Sequence, residues 1–198
     1  MKKAVLLLFI VAGFQSFAQK NMGIGLKVGS LNGITFKKYS AVSDIEINLG
    51  HSYAYNTNLT RWDAYFYDVW IIKNGNVASD WKFKDVRVYT PVAIQGRLLF
   101  HKNLNKIGDE SVSGLKWYYG IGGQLVSRRV DFIVEYLGTK YVESYNDIDL
   151  GVDGIIGLEY TLEDIPLAFF LDVNLLIELI DEPFVLWPQA GLGGRFRF

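Results

Sequence analysis

The sequence predicts an all-β chain, a closed antiparallel up-and-down barrel of eight strands, and three features carry that prediction. Apolar and polar residues alternate along most of its length, as they do in strands with one greasy and one polar face. A basic start and a short apolar run, Met1-Lys2-Lys3 and then Ala4 to Gly13, mark an exported chain. The chain closes on a strand in which Leu192, Phe196 and Phe198 alternate with Gly193, Arg195 and Arg197. After the export segment no apolar run reaches the roughly 20 residues that a spanning helix needs. The longest, within 166–180, is broken by Asp172, Asn174 and Glu178. Such a chain enters a membrane only as a closed sheet, in which every strand's backbone is paired.

Ser16-Phe17-Ala18 is a small-x-small cleavage signal, so residues 1–18 are read as a secretory signal peptide and 19–198 as one barrel domain. The apolar run is too short for a membrane helix. Lys2 and Lys3 leave with the signal and no acid does, which takes the net charge from −1 to −3. That is no basic surface for nucleic acid. There is no cysteine, hence no disulfide framework and no thiolate metal site.

The expected strands follow in order. The first, Met22 to Ser30, sets Met22, Ile24, Leu26 and Val28 against Gly23, Gly25, Lys27 and Gly29. Asn32-Gly33 is a strong hairpin signal and places a turn at 31–33. The second strand is Ile34 to Tyr39, and 40–43 turns the chain. The third, Asp44 to Tyr53, sets Ile45, Ile47, Leu49 and His51 against Glu46, Asn48 and Ser52. Residues 54–85 are rich in aromatics, with Asn74-Gly75 in the middle, and read as a hairpin continuing strands three and four beyond the bilayer. The fourth strand is Val86 to Phe100, and 101–114 is a polar connector. The fifth is Leu115 to Val126, followed by a charged, tyrosine-rich loop over 127–147. Ile148 to Thr161, Leu167 to Glu178 and Trp187 to Phe198 complete the count. Eight strands of roughly 9–11 residues match the smallest common membrane barrel. With the amino terminus inside, both long connections, 54–85 and 127–147, fall outside, as such barrels require.

Alternation alone leaves the choice of inner face open, because a soluble lipocalin-like barrel buries the apolar face instead. Two features favour the inverted arrangement. Aromatics gather at strand ends (Tyr53, Phe100, Trp117, Tyr160, Trp187, Phe198), where an interfacial girdle needs them. The polar face mixes glycine with charges of both signs. An interior charge network is therefore expected from Lys27, Glu46, Arg97, Lys116, Asp153, Glu159, Asp172, Arg195 and Arg197. An eight-stranded interior is just wide enough for side chains, so the expectation is a plugged, ion-paired core. Asp172 and Glu46 are the expected counter-charges for Arg195 and Arg197.

Several stretches also carry a resemblance. They are Ser16-Phe17-Ala18-Gln19, the Gly33–Tyr39 segment, Trp117-Tyr118-Tyr119-Gly120, residues 151–161 and the Phe-ended last strand. Together they resemble the small outer-membrane β-barrel proteins of the OmpX and OmpA type, and among them the Bacteroidetes-type exported barrels of mostly unassigned function. The resemblance implies an outer-membrane location and lipid as the surrounding partner. The terminal Phe198 resembles the signal read by the barrel-assembly machinery, which it implies as a partner in biogenesis.

Chemistry is hard to find. His51 and Ser52 are adjacent on a strand, so they point to opposite faces and form no nucleophile–base pair. His101 reads as a turn residue. Asp149 and Asp153 share a face but lie roughly 13 Å apart. Asp63, Asp68, Asp80 and Asp85 lack calcium-loop spacing. Gly191-Leu192-Gly193-Gly194 has no following helix to hold a phosphate. No catalytic, cofactor or metal residue is expected. The candidate surface-binding residues are Trp62, Tyr65, Tyr67, Trp70 and Trp81, which could meet an extracellular partner or simply pack together. The expected role is structural or adhesive in a monomer. The alternatives are a lipid-modifying enzyme and a soluble ligand-binding barrel.

Overall fold

The computed structural model describes residues 21–52, 66–71, 81–104, 106–107, 110–111, 113–180 and 184–198, with the backbone alone at 68–70, 106–107 and 110–111. The signal peptide, Tyr53, Trp62, Tyr65, Asp63, Asp80, Asn74-Gly75 and the side chains of Asp68 and Trp70 lie outside what is described. The strands are β1 Met22–Gly29, β2 Leu31–Lys38, β3 Asp44–Ser52, β4 Trp81–Val88, β5 Val92–Asn103, β6 Lys106–Ile107, β7 Glu110–Ser111, β8 Leu115–Tyr136, β9 Thr139–Thr161, β10 Leu167–Glu178 and β11 Leu186–Arg197.

Eight of them close into an antiparallel ring in the order β8-β5-β3-β2-β1-β11-β10-β9, with β9 returning to β8. The seam is β1 on β11, from Gly23 opposite Arg197 to Gly29 opposite Gly191. Met22 and Phe198 exchange two backbone hydrogen bonds there, at 3.1 and 2.9 Å. The last strand is thus a structural stave of the barrel. The chain ends and the links at 39–43, 104–114 and 162–166 share one end of the ring, here the inner end. Among the described residues no helix is long and apolar enough to cross a membrane.

The register corrects four expectations. Asn32-Gly33 is not the first turn. Both residues lie in β2, and the chain reverses at Gly29-Ser30, where Gly29 has φ +134° and its N–H donates to Asn32 Oδ1 at 2.7 Å. Gly33 serves close strand packing instead, since a Cβ there would sit 2.0 Å from the Leu49 carbonyl oxygen. The expected fourth strand is divided at 89–91, where Pro91 has no N–H to give the ladder. Its outer part, β4, does not form a hairpin with the third strand. It pairs with β8, from Trp81 opposite Tyr136 to Val88 opposite Val130.

The expected loop at 127–147 is a regular hairpin. β8 and β9 run on together to a two-residue turn at Leu137-Gly138, whose φ values of 48° and 83° suit a primed turn. At 22 and 23 residues these strands are about twice the length that crosses a bilayer. The surplus of about ten residues projects roughly 30 Å along the strand. β4 joins it to make a three-stranded arm. At the opposite end the 101–114 connector is shortened by β5 running to Asn103 and holds the small β6–β7 hairpin.

Candidate functional site: the charged barrel interior

Inside the ring, polarity is inverted relative to a soluble protein. Outward positions are apolar and exposed, with Leu26 at 67%, Ile121 at 67% and Phe169 at 53%. Inward positions are charged and buried, with Arg195 and Glu46 at 0% and Asp172 at 1%. Period-two geometry produces this directly, because each strand that turns Ile45, Ile47 and Leu49 out must turn Glu46 and Asn48 in.

Arg195 on β11 is the hub. Its guanidinium pairs with Glu46 on β3, three strands round the ring, and with Glu159 on β9 at 3.1 Å. It also donates to Thr35 Oγ1 at 3.0 and 3.1 Å, and its planar head lies 3.7 Å from the Phe170 ring centre. Lys27 on β1 donates to both oxygens of Asp172 at 2.9 Å. Arg97 on β5 binds Asp153 at 2.7 Å and approaches Glu46 at 3.5 Å and Asp172 at 3.7 Å. Of the two counter-charges expected for Arg195, Glu46 is one. Asp172 is not, because Lys27 and Arg97 hold it.

Lys37 was not singled out from sequence, yet it spans the lumen to Glu159 at 3.0 Å and reaches Asp44 at 3.2 Å. A row of amides links the pairs. Asn48 donates to Glu46 and Gln95, Gln95 to Gln124, and Asn174 to Asp153 and Gln189, all between 2.8 and 3.0 Å. Burying charges is tolerable only when they are paired, since removing one partner of a buried pair costs about 3–5 kcal/mol.

Lys116 is half-buried opposite Glu159 in register and makes no ion pair with a described residue. Arg197 lies near the inner end, donating to Thr161 at 3.3 Å and stacking 4.2 Å from the Tyr39 ring centre. A second charged group sits at the outer rim, where Arg128 pairs with Asp147 and Asp149. Between the two networks lies an apolar layer of Leu31, Ala93, Val126 and Leu176, with Trp187 against it. Trp187 corrects the girdle assignment: it points inward and its indole N–H donates to Glu178 at 3.1 Å. Phe100, Trp117 and Tyr119 do stack on one another, with ring centres 5.7 and 5.4 Å apart.

The histidines offer no catalytic pair. His51 is exposed on the outer wall and Ser52 is buried inside. His101 lines the inner end, 3.3 Å from Asp44. Asp149 and Asp153 have separate arginine partners. No group of three metal-ligating side chains converges among the described residues.

The arm has an ordinary apolar cluster. Phe66 and Ile71, from a π-helical turn at Phe66–Ile71, pack on Val130, Phe132 and Val134. Of the surface-binding candidates, Tyr67 and Trp81 belong to this packing, and the Tyr67 hydroxyl accepts the Phe83 N–H at 3.0 Å. On the arm's other face Asp131 accepts from Ser144 at 2.8 Å, Arg129 at 3.0 Å and Tyr89 at 2.9 Å. The Ser144 hydrogen bond, followed by those of Arg129 and Tyr89, holds this carboxyl below its usual range.

The fold and its interior define a class: a closed, inside-out eight-stranded β-barrel with an ion-paired lumen. No family model matches the chain, and no curated protein matches it. Among solved structures it is similar to the N-terminal β-barrel domain of Pseudomonas aeruginosa OprF, with TM-score 0.49 and 11% identity over 89% of this chain and 95% of that one. It is also similar to Ail, the attachment invasion locus protein of Yersinia pestis, with TM-score 0.42 and 9% identity over 89% of this chain and 96% of that one. The functional reading rests on the molecule's own geometry.

Proposed function

We propose that this chain is an exported outer-membrane β-barrel protein, plugged by its own interior charges, with a structural or surface-binding role. The observation that carries the reading is the inversion of polarity: exposed apolar side chains ring the outside while Arg195, Glu46, Lys27 and Asp172 are buried within. Water would penalise that exterior and a hydrocarbon layer favours it, so a soluble lipocalin-like barrel is the poorer fit. Cross-lumen ion pairs and the Leu31–Trp187 layer leave side chains where a pore would need water, which supports a non-conducting barrel. The separation of His51 from Ser52 speaks against a lipid-modifying enzyme. The extension of β8 and β9 past the ring supports the surface-binding role, with the arm as the part that would meet a partner.

The test is membrane extraction followed by gel mobility with and without heating. A folded membrane barrel shifts on heating, and recovery of the mature chain in the soluble periplasm would refute the reading. In planar bilayers the protein is expected to give no steady conductance. For the surface role, cells carrying the protein without residues 128–147 are expected to lose binding to whatever surface the intact protein holds.

A further inference from the structure

We propose that Asp149 carries a proton in the closed barrel, donates it to Glu178, and so forms a pH-sensitive clasp between the root of the arm and the β10–β11 loop. This goes beyond the proposed function, because it concerns how the arm is held and not what the arm meets. The clasp sits where β9 leaves the ring. The β9–β10 ladder ends with Glu178 opposite Gly151, and the Leu179 N–H then donates to the Leu150 carbonyl at 2.8 Å. Asp149 is the next inward residue of β9 beyond Gly151, so the two carboxyls are diagonal neighbours on one face. Gly151 puts no side chain between them. Both are buried, at 1% and 0% exposure, and they hydrogen-bond to each other.

Two carboxyl groups in that contact need a proton between them, since a carboxylate only accepts. Asp149 is placed to keep it. Burial, foremost, raises this carboxyl above the usual range; Arg128 opposes the rise, and Asp147 and Glu178 add to it. Arg128 stays satisfied. Its Nε donates to Asp147 at 2.5 Å, and its contact with Asp149 is to an oxygen that a neutral acid also offers. Glu178 accepts the Trp187 indole N–H at 3.1 Å. Among the described residues, the charged groups facing Asp149 are Arg128 from β8, Asp147 from β9 and Glu178 from β10. β11 brings Trp187, and the other strands bring Leu31, Ser52 and Ala93 to this end, none of which titrates. Asp149 lies farther from Thr161, the inner end of β9, than the roughly ten residues a crossing strand needs, so it stands outside the crossing part.

The proton has a structural consequence because Glu178 anchors the loop. Its N–H donates to the Val185 carbonyl at 3.0 Å, and its own carbonyl accepts the Phe184 N–H at 2.9 Å. When Asp149 gives its proton to water, Glu178 faces a second carboxylate with Asp147 behind it, and the loop parts from the arm's root. The carboxyl is raised when the clasp is closed and ordinary when it is open. Closure is therefore strongest below the usual carboxylate range, weakens about tenfold per pH unit up to the raised value, and levels off above it.

The test uses the full mature protein in lipid vesicles, with each variant first shown to be folded by heat-modifiable mobility. Hydrogen exchange is followed at the Glu178, Leu179 and Phe184 amides from about pH 5 to about pH 7, above the ordinary carboxylate value. Each rate is divided by that of an unstructured amide at the same pH. Wild type is expected to lose protection by about tenfold per pH unit. Asp149→Asn offers Glu178 a donor at every pH, so its protection should be high and flat. Glu178→Gln removes the second carboxylate and should flatten the slope as well. Infrared spectra at about pH 6, between the ordinary and the raised value, should show a protonated-carboxyl band in wild type that Asp149→Asn lacks. A flat wild-type profile, the same slope in Asp149→Asn, or no such band would overturn the proposal. Asp131 cannot imitate the result, because its carboxyl is shifted the other way and lies on the arm.

Discussion

β8 and β9 run through two regions that solve opposite problems with one continuous face. Within the ring this face carries Tyr118, Gln124, Asp153 and Glu159, and its partners are polar or charged: Asp172, Gln95, Arg97 and Lys37. Beyond the rim the same face carries Val130, Phe132 and Val134, and its partner is the turn at Phe66–Ile71. Arg128 stands near the change, paired to Asp147 and Asp149. The polarity of a strand face is therefore set by what lies opposite it. In the lumen, charged strands face each other behind a wall whose outward side chains are apolar and exposed. In the arm, an apolar cluster is covered by the turn at Phe66–Ile71.

The comparison breaks most sharply at Arg195. Arg195→Met strips Glu46 and Glu159 of their shared guanidinium and is expected to destabilise the whole barrel by about 3–5 kcal/mol, read from urea unfolding in lipid vesicles. Adding Glu46→Gln should recover much of the loss, because it removes one buried charge of each sign while Glu159 keeps Lys37 and Arg97 keeps Asp153. Phe132→Ala tests the other region. It should cost about 3 kcal/mol of local arm stability, seen as faster proteolysis near 128–147 while the heat-modifiable shift of the barrel persists. Loss of that shift would mean that arm and barrel fold as one unit.

Smaller changes sharpen the arm alone. Gly138 has φ +83°, so Gly138→Ala is expected to cost about 1–2 kcal/mol at the hairpin tip, measured by hydrogen exchange at neighbouring amides. The smallest effect concerns Asp131. Its depressed folded pKa means that its stabilisation is full above the ordinary carboxylate range and fades as pH falls through the folded value. Amide protection in the arm should weaken on acidification across that interval. Ser144→Ala should flatten the dependence, since Ser144 contributes most to the shift.

How much was legible in the sequence follows the same division. Strand β10 has the expected bounds, Leu167–Glu178, because its alternation is unbroken and short turns flank it. Glu46, Arg97, Asp153, Asp172 and Arg195 are buried on the inward face, where parity groups them and the mix of charges with strand-end aromatics points that face inward. Which charge meets which was legible only for Arg195 and Glu46. Glu159 and Lys37 lie on opposite strands of the ring, and their contact depends on stagger and lumen width rather than on spacing along the chain. The arm was missed because its inward face turns apolar after Arg128, erasing the lipid pattern that had marked the strand. Asn32-Gly33 misled because a glycine needed for close strand contact looks, in sequence, like a glycine needed for a turn.

The central claim is that outward residues touch lipid and inward ones do not. The chain has no cysteine, so single cysteines carrying nitroxide labels can be placed without interference. Labels at Ile45, Ile47 and Leu49 on β3, and at Val173 and Leu175 on β10, should be relaxed strongly by oxygen dissolved in the bilayer. Labels at Asn48 and Asn174, on the inward face, should be shielded from oxygen and from water-soluble relaxants alike. That period-two pattern is what the inside-out barrel requires. A reversed pattern, or equal accessibility on both faces, would contradict it.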